Sequence, residues 1–235
     1  MGENNQKIKS AEEIATRKAN KIWLKRIRVF AGVLGMMLPW IAMLGAFIVS
    51  KQSPDIIKDG FWKELSISET YYVTPALAGI LTTAAVILMS YKGYNLLDHA
   101  ITSISGVFGI LIVLFPCSCP MAKGETLVGF FQLPASTSNT IHCTSAVIFF
   151  LLLAFNSIFL FTKDGGDEKQ ELTKNKRIKN IIFRVCGIGM LGGMALVFAS
   201  FDAHIFVAEA IALTFFGVSW LVKGEVFGLL ADKPE

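Results

Sequence analysis

The chain has 235 residues, of which 53% are hydrophobic and 17% charged, with a net charge of +4 and a mean hydropathy of +0.56. That balance excludes an ordinary water-soluble domain and fits a helical bundle whose outer surface faces lipid. The modest positive charge is no nucleic-acid signature: the basic residues concentrate in segments beside apolar stretches, where anionic lipid head groups account for them.

The residues from 1 to 26 form a basic lead with Lys7, Lys9, Arg17, Lys18, Lys21, Lys25 and Arg26. Ser10-Ala-Glu-Glu13 has the pattern of a capping box, and Ile14, Lys18, Ile22 and Lys25 follow at helical spacing. The expectation is a juxtamembrane helix lying on the cytoplasmic surface before the chain turns into the bilayer. The apolar stretch behind it is too long for a signal-peptide core and shows no small-residue cleavage pattern, so it is expected to stay as an anchor.

Six apolar stretches then follow: Ile27–Ser50, Tyr71–Tyr91, Ala100–Phe115, Thr140–Thr162, Ile181–Ser200 and Ala203–Val222. Most have the ~20 residues that a helix needs to cross a ~30 Å hydrocarbon core. Backbone polar groups in lipid must be satisfied within the segment, so the expected fold is all-α. It is a polytopic bundle of six transmembrane helices over residues 27–230. The basic lead, Lys92, the run Lys163–Lys179 and Lys223 all fall on one side of such a bundle. By the positive-inside bias both termini are expected in the cytoplasm.

Between the first two stretches, Phe61, Trp62 and Leu65 suit an interfacial segment, and Ser66-Ile-Ser-Glu69 is a second capping box expected to start the second span. Asp98 is expected to cap the third. The connection Pro116–Asn139 is long and irregular, with Cys117, Cys119, Pro120, Gly124 and Pro134. In the fifth stretch Gly187, Gly189, Gly192 and Gly193 point to close helix packing.

Polar residues gather at the external end of this topology. Ser66, Ser68 and Tyr72 surround the start of the second span, His142 opens the fourth, and His204 and Glu209 belong to the sixth. These six residues are the expected lining of a ligand pocket. Glu209 carries most weight, because an ionisable residue within a span costs a few kcal/mol and faces the bundle interior as a rule. His142, His204 and Glu209 could also ligate zinc and leave an open position for water, although their spacing fits no metal motif. The preferred reading is that Glu209 fixes helix packing through hydrogen bonds. Cys117, Cys119 and Cys143 share the external side, where Cys143 could bridge to either loop cysteine. No nucleotide-binding loop, His-Glu-x-x-His motif or serine elbow is present.

The series Ser66-Ile-Ser-Glu-Thr-Tyr-Tyr-Val-Thr74, Tyr91-Lys-Gly-Tyr-Asn-Leu-Leu-Asp98, Gly106, Leu114-Phe-Pro116, Ile141-His142 and Glu209 through Gly217-Val-Ser-Trp-Leu-Val-Lys-Gly224 runs in this order. It resembles a family of uncharacterised bacterial polytopic membrane proteins, known as domain of unknown function 998. The resemblance implies a compact helical bundle and assigns no activity. A second comparison is with intramembrane hydrolases of the alkaline ceramidase kind, which carry a His-x-x-x-His pair in the last span. Here Ala208 stands four residues after His204, a departure from that pattern. The sequence therefore points to a membrane protein whose external polar pocket binds a membrane lipid or small molecule, or serves the structure. The alternative is a metal-dependent hydrolase of lipid head groups, with zinc as its cofactor.

Overall fold

The computed structural model describes residues 2–53, 55, 65–93, 95–163, 173–199 and 205–227, with side chains from Glu12 onward. Asp202 and His204 lie outside the described residues, as do Phe61 and Trp62. The fold is helical: α1 Gly2–Gln52, a 3₁₀ turn Ser68–Tyr72, α2 Ala76–Ser90, α3 Leu96–Leu114, α4 Ala135–Phe155 continued by a π segment Asn156–Leu160, α5 Lys174–Ala199 and α6 Ile205–Lys223. A two-stranded antiparallel hairpin, β1 Leu127–Val128 with β2 Leu133–Pro134, interrupts the connection from α3 to α4.

Five of these helices are long and apolar enough to cross a membrane, and α2 is a shorter apolar helix. This is the architecture of an integral membrane protein. Each helix packs on the next in sequence, and α6 closes the ring against α1. Lipid tails are as apolar as the bundle interior, so close packing and hydrogen bonds, rather than burial alone, must hold such helices together.

The local chemistry departs from expectation in three places. The lead and the first span form one helix of 51 residues with no turn at residue 26. At 1.5 Å per residue it is about 77 Å long, far more than a bilayer core requires. Ser10 alone does not stop a helix that has already begun. The second span is only 15 residues long, because Thr74-Pro75 intervenes: proline disfavours helical geometry in the residue before it and is tolerated at a helix start. The Ser66–Glu69 box opens the 3₁₀ turn instead. Finally, Asn95 caps α3, its side chain accepting from the Asp98 N–H at 2.8 Å, and Asp98 is a buried first-turn residue. The polar run Ser136–Asn139, expected in the loop, is the first turn of α4.

Contacts define two ends of the bundle. At the basic end, Lys25 pairs with Glu225, and the buried Arg28 donates to the Tyr91 hydroxyl from Nε at 3.1 Å and Nη2 at 2.8 Å. Lys223 donates to the Phe161 carbonyl at 2.9 Å and lies over the Phe161 and Phe183 rings. Trp220 joins this cluster edge-on to Tyr91 and Phe161. At the opposite, hairpin end, Gly45 of α1 approaches Thr74, the loop before α4 bonds to the turn before α2 and to the start of α4, and the turn before α2 bonds to α6. Glycines in α5 give close approach as expected: a Cβ on Gly193 would meet the Ala208 carbonyl oxygen at 2.9 Å, whereas Gly192 faces open space.

Candidate functional site

The site at the hairpin end is built from the Ser66–Glu69 turn. The Ser66 N–H donates to Glu69 Oε2 at 2.8 Å, and the Glu69 N–H donates to Ser66 Oγ at 3.1 Å. This is the reciprocal pairing that the sequence pattern implies. With those donors paired, two others of the same turn face α6. The Ile67 N–H donates to Glu209 Oε2 at 2.6 Å and the Ser68 hydroxyl to Glu209 Oε1 at 2.8 Å. Glu209 thus fastens the turn before α2 to the first part of α6, across 141 residues of sequence. Hydrogen bonds to a carboxylate are about twice as strong as neutral ones.

His142, buried in the second turn of α4, directs Nδ1 at the carbonyls of Ile112 and Phe115, at 3.1 and 3.0 Å. Carbonyls accept only, so Nδ1 carries the proton and satisfies the orphan carbonyls at the end of α3. In the neutral ring that leaves a lone pair on Nε2. The loop above is pinned by three further bonds: Ser138 Oγ to the Pro116 carbonyl at 2.7 Å, the Ser118 N–H to Asn139 Oδ1 at 3.0 Å, and the Tyr72 hydroxyl to the Cys117 carbonyl at 2.6 Å.

Between these elements lies a cavity of about 250 Å³, open on one side. Its polar end is formed by Ser66, Ser68, Glu69, Ser118, Asn139, His142 and Glu209, together with Cys117 and Cys143. Its apolar wall runs along α4 and α5 through Ala146, Val147, Phe150, Met194, Val197 and Phe198, with Ala212 of α6. Phe198 is 69% exposed, so this wall passes without a break into the outer apolar surface of the bundle.

Of the expected pocket residues, the structure brings Ser66, Ser68, His142 and Glu209 to one cavity. Tyr72 is a correction. It does not line the cavity but packs against Cys119, Ala122, Val128 and Ala135, and it holds the loop through Cys117. The proposed zinc set cannot be assembled from what is described: His204 lies outside it, and among the described residues no three His, Cys, Asp or Glu are grouped to hold a metal. Both Glu209 oxygens and His142 Nδ1 are instead engaged within the protein. Sequence reasoning missed Glu69, Ser118 and Asn139 as lining, and it missed the whole apolar wall. It also missed His99, whose Nδ1 lies 2.8 Å from the Tyr91 carbonyl at the basic end.

The four cysteines are free thiols, with Cys117, Cys119 and Cys186 buried and Cys143 exposed. No bridge joins Cys143 to Cys117 or Cys119. Burial pushes the Cys117 thiol well above its ordinary range, and the Glu69 and Glu209 carboxyls add to the effect. Burial also raises Cys119, partly offset by backbone N–H groups of Met121 and Ala122. The loop cysteines therefore stay protonated at neutral pH, the opposite of what a nucleophilic or redox-active thiol needs. Compared with protein-family models, curated proteins and solved structures, the chain matches none.

Proposed function

We propose that this chain is a lipid-binding protein of a bacterial inner membrane, which takes one amphiphile at a time into the cavity at its hairpin end. The observation that carries the reading is the shape of that cavity. Hydrogen-bonding groups converge at one end, and an apolar wall leads from there to the outer surface of the bundle. A pocket for a soluble metabolite would have no use for that continuity. Apolar walls with a few placed polar groups are the usual form of a small-molecule site. In this reading the helices make six crossings, α2 being extended by the turn before it. Both termini lie in the cytoplasm, since the basic residues Lys25, Arg28, Lys179 and Lys223 meet at one end. The cavity then opens toward the outer leaflet.

The test is photocrosslinking of the full chain in nanodiscs with a lipid carrying a diazirine in its acyl chain. Labelled peptides should come from Ala146–Phe150 and Met194–Phe198. Ala146→Phe, which fills the cavity, should remove that labelling while leaving incidental labelling elsewhere unchanged. Equal labelling of all outward faces, insensitive to Ala146→Phe, would defeat the reading.

A further inference from the structure

The cavity also says which head group it takes, an inference that rests on the lipid-binding reading above. Four donors of the Ser66–Glu69 turn are already spent: the Ile67 N–H and Ser68 hydroxyl on Glu209, and the Ser66 and Glu69 N–H groups on each other's side chains. Asn139 Oδ1 accepts from the Ser118 N–H, so the neutral donors at the polar end are its NH₂ group and the Ser66 and Ser118 hydroxyls. Beside them stand the acceptors of two carboxyl groups and a histidine. Glu69 has a second carboxyl oxygen beyond its one bond, the Glu209 oxygens each keep a lone pair, and His142 keeps Nε2. Among the described lining residues there is neither Lys nor Arg.

We infer that the cavity selects an amphiphile whose head group donates hydrogen bonds and carries no negative charge, a hydroxyl-bearing or primary-ammonium head rather than a phosphate. A phosphate brings acceptors only and is recognised by cations or by ranks of free N–H groups. Here it would meet two carboxyls, with no cation among the described lining residues to offset them. A hydroxyl or ammonium donates into the acceptors that the protein leaves open. The polar end takes the head group, with the rest of the chain lying along Val197 and Phe198.

The experiment is competition for pocket labelling by a diazirine monoacylglycerol in nanodiscs of the full chain. Three competitors share a fourteen-carbon chain: monomyristoylglycerol, tetradecylamine and tetradecyl phosphate. The first two are expected to displace the probe at concentrations at least ~10-fold below the phosphate, a difference of about 1.4 kcal/mol. The order of the first two identifies the source of the donor, hydroxyl if the glyceride leads and ammonium if the amine does. A phosphate that competes as well as either would overturn the head-group inference and leave lipid binding in place. Absence of pocket labelling by the probe itself would remove the lipid-binding reading, and this inference with it.

Discussion

Ser68 and Glu209 share a 2.8 Å hydrogen bond at the hairpin end, where Glu209 also accepts the Ile67 N–H at 2.6 Å. A carboxyl group suits this place because both of its oxygens accept. In Glu209→Leu both acceptors disappear, so the Ile67 N–H and the Ser68 hydroxyl lose their partner. Leaving such a donor unsatisfied costs about 1–3 kcal/mol. The variant should unfold at lower temperature in detergent, with faster hydrogen exchange confined to Ser66–Tyr72. Unchanged exchange in that turn would show that the bond does not hold it.

Gly32 of α1 and Gly217 of α6 meet backbone to backbone. A Cβ on Gly217 would stand 2.8 Å from the Gly32 carbonyl oxygen, and one on Gly32 2.9 Å from that of Gly217. Neither oxygen can swing aside as a side-chain tip could. Gly217→Ala should therefore separate the helices and cost about 1–3 kcal/mol, the range for overpacking a tight interior. Gly192→Ala is the control, because nothing lies within 4 Å of its Cβ position. It should leave stability unchanged or slightly raised, since alanine is the better helix former. Equal losses in both variants would mean that the contact between α1 and α6 is not what fixes the bundle.

The apolar stretches were legible because lipid tolerates few residue types, and the Ser66–Glu69 box because its two side chains must sit three residues apart. Glu209 stood out as a carboxyl in an apolar run, although its partners could not be read from spacing. The apolar wall was invisible for a physical reason. Val197, Phe198 and Met194 are the residue types that any helix shows to lipid, and only the neighbouring helices turn them into a cavity. The short α2 was marked by Thr74-Pro75, but hydropathy averaged over a span hides a single proline. Asn95 was passed over in favour of Asp98, since both are good caps and only the backbone decides between them.

Thiol chemistry offers an independent check on the loop. Cys143 is exposed, whereas Cys117 and Cys119 are buried and held above the ordinary thiol range, chiefly by that burial. The reactive species is the thiolate, so raising the pH through 8 should speed alkylation of an ordinary thiol and leave these two almost unmodified. Mass mapping after maleimide treatment should find Cys143 modified first, and Cys117 and Cys119 only after unfolding. Early modification of Cys117 would place the loop elsewhere.

Orientation is tested by single thiols in a cysteine-free background. Lys123 in the hairpin-end loop and Arg177 near the start of α5 are both exposed. With the hairpin end outside, a membrane-impermeant maleimide should label Lys123→Cys on intact cells, and Arg177→Cys only after lysis. The reverse pattern would turn the cavity toward the cytoplasm.

The basic end makes the sharpest energetic prediction. Arg28 is buried and gives two N–H groups to one phenol oxygen, that of Tyr91. Tyr91 in turn packs edge-on to Trp220, with ring centroids 5.3 Å apart. Tyr91→Phe keeps that packing and deletes the acceptor, so Nε and Nη2 of a buried cation lose this bond. The expected loss is about 1.5–3 kcal/mol, the range for hydrogen bonds to charged groups. Arg28→Lys should cost a similar amount, because a single ammonium cannot reproduce the planar fork that reaches the oxygen from Nε and Nη2 together. Lys25, by contrast, is half exposed, and its partner Glu225 keeps Lys179 as a second cation at 4.0 Å. Removing the solvated partner of such a pair is worth less than about 1 kcal/mol, so Lys25→Ala should be nearly silent. Thermal unfolding of the three variants in one detergent ranks them directly. If Lys25→Ala proved as damaging as Tyr91→Phe, the exposed ion pair and not the buried phenol would be what joins α1 to the other helices at this end.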